Sequence, residues 1–337
     1  MKKELLILFC CVFAAIFTGC EKDNPTDPTE ESGISVQTPG TLSSLISAAE
    51  KYELTSLKLT GNLNGDDIRF IREMAGSDVN GNETSGKLAV LDLSGANIVE
   101  GGDYYLQRYG DYYTVKNSIS EGMFYGCKTL TSITIPNSVT SIDGNFKSCI
   151  KLKEIIAASG SNSYSSIDGV LFNKAKTTLI TYPIGKEGTN YTIPNSVTTI
   201  KSIAFYGCTK LTAVTMPNGI TTIENAAFAG CTGIEYITIP NGVTTIDFET
   251  FAECSGLKHV IFGSGVTSIE DFAFSGCTGL LGMNLLDNPV PPICGPNAFY
   301  NVNKANCTIS VLIGYLQAYQ ESEDWSEFGN IVGVIVN

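Results

Sequence analysis

The chain has 337 residues, 43% of them hydrophobic and 16% charged, a balance that excludes intrinsic disorder and lies well under the roughly 25% charge usual in soluble domains. Asp and Glu outnumber Lys and Arg by 34 to 21, for a net charge of −13, so nucleic acid is not an expected partner. The one histidine, His259, speaks against His-based metal sites and leaves a single base for any Ser/His or Cys/His mechanism.

Residues 1–20 read MKKELLILFCCVFAAIFTGC. Two lysines precede an apolar run from Leu5 to Phe17, too short to span a membrane and typical of a signal-peptide core. Small residues then lead to Cys20. The segment resembles a bacterial lipoprotein signal over residues 1–19, which implies that Cys20 carries the lipid; an ordinary secretory signal cut nearby is the alternative. Residues 20–33 are polar and carry Pro25 and Pro28, so they read as a flexible tether. Its acidic residues are similar to the surface-export signal of Bacteroidetes lipoproteins. A plain solvated linker, with the protein facing the periplasm, is the other reading.

Residues 34–118 predict an α+β capping module. Leu42, Leu45, Ile46 and Ala49 share a helical face in 41–52. Asp66 or Asp67 can N-cap a second helix carrying Ile68, Ile71 and Met74. Strands with an L-x-L pattern follow near 54–59 and 88–93. The tyrosines 104, 105, 109, 112 and 113 read as a loop that either packs on the body or projects from it.

From 119 to 288 the chain repeats. Phe205, Phe228, Phe251 and Phe274 are 23 apart, as are Cys208, Cys231, Cys254 and Cys277; Phe124/Cys127 and Phe146/Cys149 form an earlier pair 22 apart. Each unit reads A-F-x-G-C, then L-x-x-I-x-I-P, then N-x-V-T-x-I. The middle piece alternates and predicts a short strand, closed by Pro136, Pro194, Pro217 or Pro240. The last piece predicts a second short strand on the opposite wall. One such unit cannot bury its own apolar face, so stacked units make a solenoid with a shared core. An irregular unit, about 157–190, contains two strand-like runs joined by 174–177, read as a hairpin excursion. Residues 289–337 predict a C-terminal cap: a helix near 312–323, with Trp325, Phe328 and Ile331 over the last core layer.

The A-F-x-G-C-x-x-L-x-x-I-x-I-P-x-x-V-x-x-I pattern is similar to the BspA-like leucine-rich repeat of bacterial surface proteins, and both flanks resemble that family's caps. The resemblance implies a mainly β leucine-rich-repeat solenoid, an outer-membrane, cell-surface location, and an adhesin-like role. It also implies a protein partner, either host matrix or another bacterial surface protein. A glycan-binding accessory lipoprotein is the alternative. The only expected membrane contact is through the lipid.

No catalytic constellation, metal site or cofactor is expected. The six phased cysteines, 127, 149, 208, 231, 254 and 277, spread their sulfurs along an axis, whereas metal ligands must converge; they read as small buried side chains. Cys294 and Cys307 stand outside the ladder and are a possible disulfide. Glu224, Asp247 and Glu270 are in phase, with Asp143 and Lys201 equivalent, and read as capping groups at the turn. The outward strand positions, from Ser132 and Thr134 to Gly282 and Asn284, are mostly small and polar. Tyr236, His259 and Ile261 are exceptions on adjacent rungs and are the first candidates for a partner-binding face; Tyr104, Tyr105, Tyr112 and Tyr113 are the second.

Overall fold

The computed structural model describes residues 33–336 apart from Tyr109, Gly144 and Asn145. The leader, Cys20 and the tether up to Ser32 lie outside the described residues. What is described is a mainly β solenoid with one wall of parallel strands. Its first sheet stacks Ile34–Val36, Ser56–Leu63, Val90–Ile98, Ser132–Ile135 and Glu154–Ala157 in that order. A seven-stranded sheet stacks Asn190–Thr192, Ala213–Thr215, Tyr236–Thr238, His259–Ile261, Gly282–Asn284, Thr308–Leu312 and Asn330–Val334.

The repeat grammar explains each rung. Inward residues of the strand, such as Ile237 and Val260, are buried and face each other in register. The proline ends the strand, and its carbonyl accepts the N–H three residues on, as Pro217 does from Ile220 and Pro240 from Val243. The V-T-x-I piece makes the second wall, where Thr199–Ile200 pairs with Thr222–Ile223 and Thr245–Ile246 with Ser268–Ile269. The chain then turns inward. Two residues of this turn take left-handed backbone: the one two before the ladder phenylalanine (Gly122, Ile203, Ala226, Glu249, Phe272) and the one two after it (Gly126, Ser148, Gly207, Gly230, Glu253, Gly276, Asn301). That second position is the glycine of A-F-x-G-C, where a Cβ is a steric cost.

Inside the turn the ladder phenylalanines stack. Phe205–Phe228, Phe228–Phe251, Phe251–Phe274 and Phe274–Phe299 have centroids 4.8, 5.4, 5.2 and 5.5 Å apart with planes within 14°. Four of the ladder thiols donate to the carbonyl of the preceding unit's phenylalanine: Cys149 to Phe124 at 2.9 Å, Cys231 to Phe205 at 3.0 Å, and Cys254 to Phe228 and Cys277 to Phe251 at 3.1 Å, while Cys208 reaches the Tyr182 carbonyl at 3.9 Å.

The irregular unit interrupts the main wall. Tyr164–Ile167, Val170–Asn173 and Thr178–Thr181 run antiparallel, and the last joins the second wall beside Thr199–Ile200. The Ile155 N–H, on the last strand of the first sheet, donates to Gly169 of this excursion at 2.8 Å. The hydrophobic core divides here. Leu171 belongs to the N-terminal cluster, while its neighbours Val170 and Phe172 belong to the C-terminal one.

The ends depart from the sequence expectation in three places. The helix expected over 41–52 is one turn, Leu42–Leu45, with Leu45 exposed. The Glu50 carboxylate instead accepts the backbone N–H and hydroxyl of Ser47, closing a local turn that competes with helix. The second helix, Gly65–Met74, is capped by Asn64 rather than Asp66 or Asp67. Asn64 Oδ1 accepts the Asp66 N–H, and Asp67 Oδ2 accepts the Asn64 N–H in a capping box. The C-terminal helix is shorter than expected, a 3-10 turn at Ile313–Tyr315 followed by Leu316–Glu321. Trp325 and Phe328 are buried against Phe299 at this end.

Candidate interaction surface

The seven-stranded sheet sets up one outward column through Ala213, Tyr236, His259 and Gly282, and a second through Thr238, Ile261 and Asn284. Strand alternation points these side chains away from the core. Tyr236 is 56% exposed and Ile261 47%. The Tyr236 and His259 rings stack at 5.4 Å with planes 12° apart, a cross-strand pair of the kind that stiffens a sheet. Beside them Lys258 pairs with Glu235 at 2.8 Å. The structure thus brings Tyr236, His259 and Ile261 onto one exposed patch among small neighbours. Ser132, expected outward with Thr134, is buried. It is a short side chain between Val90 and Glu154 on the adjacent rungs, which shade it.

The tyrosine cluster does not form one patch. Tyr105 is fully buried, and its hydroxyl donates to the Glu121 carbonyl at 2.8 Å. Burial drives its ionisation far above the ordinary tyrosine range. It is part of the core and not a surface contact. Tyr104 is half-buried under the Arg69 guanidinium, 4.8 Å from the ring centroid, and meets Tyr113 edge-on at 6.3 Å. Tyr113 is exposed, whereas Tyr112 is half-buried and lines a pit of about 110 Å³ with Leu106, Arg108, Tyr125 and Ile203. Tyr109 lies outside the described residues.

All six ladder cysteines are buried free thiols. Burial raises Cys127 to about 11 and Cys254 to about 12. Cys294 and Cys307 are also free in the structure, the first half-buried and the second buried. The Cys294 thiol donates to Pro292 O at 3.6 Å. Among the described residues no three His, Cys, Asp or Glu side chains converge as a metal-binding group. Of the in-phase carboxylates, Glu224 accepts the Ser202 N–H of the preceding unit at 3.1 Å and pairs with Lys201, while Asp247 accepts the N–H of Phe248.

Sequence reasoning missed Arg72. It is fully buried, and its guanidinium donates to the carbonyls of Gly122, Met123 and Asp78 and to the Ser77 hydroxyl. It locks the cap helix onto the first repeat turn. Only its place in the last turn of an amphipathic helix hinted at this.

Three solved structures are similar in fold. A leucine-rich repeat protein from Eubacterium ventriosum matches at 22% identity and TM-score 0.53, over 83% of this chain and 75% of that one. The pneumococcal vaccine antigen PcpA matches at 20% and 0.57, over 84% and 69%. A leucine-rich cell surface protein from Faecalibacterium prausnitzii matches at 24% and 0.51, over 89% and 83%. No curated protein gives a significant match. The family model described as a BspA-type leucine-rich repeat region matches six copies, over residues 117–187 and 185–306. These spans are the residues whose turns, thiols and stacked rings build the solenoid, and the chain belongs to the BspA-type leucine-rich-repeat family.

Proposed function

We propose that this chain is a lipid-anchored cell-surface protein, held at the outer membrane through Cys20, whose solenoid binds a protein partner without catalysing a reaction. The observation that carries this reading is the patch of Tyr236, His259 and Ile261, three large exposed side chains on a preformed sheet of otherwise small residues. Exposed aromatic anchors on a rigid face favour partner contact, because little side-chain entropy is lost on binding. The two rings stack on each other and Ile261 adds an aliphatic surface beside them, a mixed apolar anchor of the kind protein interfaces use. The family and the leader motif support display outside the cell, and display of many copies multiplies weak contacts.

The test has two arms. The purified protein and its Tyr236→Ala/Ile261→Ser variant are applied to an array of matrix proteins, bacterial surface proteins and glycans. Protein hits that weaken at least 10-fold in the variant are expected; exclusively carbohydrate hits would overturn the protein reading. Protease shaving of intact cells should remove the protein, and Cys20→Ala should release it from membranes. Persistence of either signal would sink the anchoring and exposure claims separately.

A further inference from the structure

Two rows of the turn face change character along the molecule. The first is the residue after each ladder phenylalanine: Tyr125, Lys147, Tyr206, Ala229, Ala252, Ser275 and Tyr300. In its first half the chain places its own cations over the rings. The Arg108 guanidinium lies 4.6 Å from the Tyr125 centroid, and the Lys147 ammonium 4.7 Å from that of Tyr206. The second row runs Lys201, Glu224, Asp247, Glu270. Lys201 pairs with Glu224 at 3.1 Å, and there the compensation stops. From 211 to 303 the sequence holds one cation, Lys258, and Glu235 binds it. Asp247, Glu249, Glu253, Glu270 and Asp271 have no ion pair among the described residues.

Large aromatics stand among these carboxylates. Phe248 meets Phe272 edge-on at 6.0 Å, and Phe272 meets Tyr300 at 6.5 Å. Phe248 is 40% exposed and Tyr300 56%. Phe272 holds its place at φ 59°, where the first repeat has Gly122. That left-handed position is common to the repeat turn, with Ile203, Ala226 and Glu249 at the same place, so the turn itself fixes where the Phe272 ring stands. The face therefore presents rings and carboxylates, the two groups that attract a cation, without the cation that the chain supplies to the same rows further upstream.

We propose that this face, centred on Phe248, Phe272 and Tyr300, docks a cationic polypeptide segment of a partner. Its Lys or Arg heads lie over the rings, with Asp247, Glu249 and Glu270 at the rim. The surface is separate from the Tyr236 patch, so it stands or falls independently of that reading.

The probe is a fluorescein-labelled decapeptide of alternating arginine and serine, with its glutamate–serine counterpart as control, followed by anisotropy at 50 and 200 mM NaCl. Saturable binding of the cationic peptide alone is expected. Phe248→Ser/Phe272→Gly/Tyr300→Ser should weaken it at least 10-fold while retaining the circular dichroism spectrum, since two of the residues are surface-exposed and glycine fits the third backbone position. Asp247→Asn/Glu270→Gln should weaken it about 3-fold and flatten the salt dependence. Tyr236→Ala/Ile261→Ser should leave it unchanged. Absence of saturable binding overturns the proposal. So does wild-type affinity in the aromatic variant, which would mean diffuse attraction to an acidic protein, and so does loss in the Tyr236 variant.

Discussion

The two ends of this solenoid are built by different rules. In the N-terminal part, strands of 8 and 9 residues, Ser56–Leu63 and Val90–Ile98, run beside a capped helix. A buried arginine, Arg72, ties the pieces together through four hydrogen bonds. Here one stacked phenylalanine pair occurs, Phe124–Phe146 at 5.7 Å. In the C-terminal part, three-residue strands recur, and an aromatic stack runs from Tyr182 to Phe299 with the same thiol-to-carbonyl bond at successive turns. Repetition lets each unit rely on its two neighbours; where repetition fails, specific polar devices take over. The division of the core at Val170–Phe172 marks the change of rule.

The sharpest way to break this contrast is to remove a ring from each part. Phe228 is stacked on both sides, and Phe228→Ala should cost about 3–5 kcal/mol, giving a separate early melting transition of the C-terminal part in calorimetry. Phe146→Ala, with one stacking partner, should fall at or below the low end of that range. Equal shifts within one cooperative transition would show that the divided core melts as a whole.

A smaller effect follows from the thiols. In the folded chain Cys127 and Cys254 are held at about 11 and about 12, whereas unfolded thiols ionise near their ordinary value of 9.0. The fold thus has its full stability below about pH 9 and loses part of it as the pH rises from there toward the folded values, because the unfolded thiol ionises while the buried one does not. Chemical denaturation between pH 8 and 11 should show the decline, and Cys254→Ala should make it shallower. Thiol reagents at pH 8 should reach the ladder cysteines only after unfolding.

The smallest change sharpens the turn rule. Glu253 sits at φ 58°, where most units have glycine. Glu253→Gly should stabilise by about 1 kcal/mol, read as a rise in Tm. A fall in Tm would mean that the Glu253 side chain, which lies over Gly276, contributes more than its backbone strain costs.

Much of this was legible in the sequence because repetition multiplies weak signals. The period of 23 at Phe205 to Phe274 gave the solenoid, both walls, the turns and the place of the excursion. The edges were not legible. Ile34–Val36 becomes a strand because a neighbouring rung offers its edge, and Asn330–Val334, whose β-branched run favours strand, takes its place in the sheet from its register with Thr308–Leu312. Tyr164–Ile167 has two serines at its centre and is a strand through its hairpin partner. Tyr236, His259 and Ile261 could be placed outward by alternation alone, whereas the burial of Tyr105 depends on the tertiary position of a loop. The row of uncompensated carboxylates beside Phe248 and Phe272 emerged only when the stacked units aligned their charges.

The C-terminal ladder also bears on how such a protein can change over generations. Because neighbouring units there meet through the same stacked ring, thiol and parallel register, an in-frame duplication of one 23-residue unit inserts a new rung without creating a new kind of contact. Each such event would extend the body by about 4.8 Å and repeat its surface columns once more. Reach and valency can thus vary by copy number, while the singular N-terminal cap stays fixed.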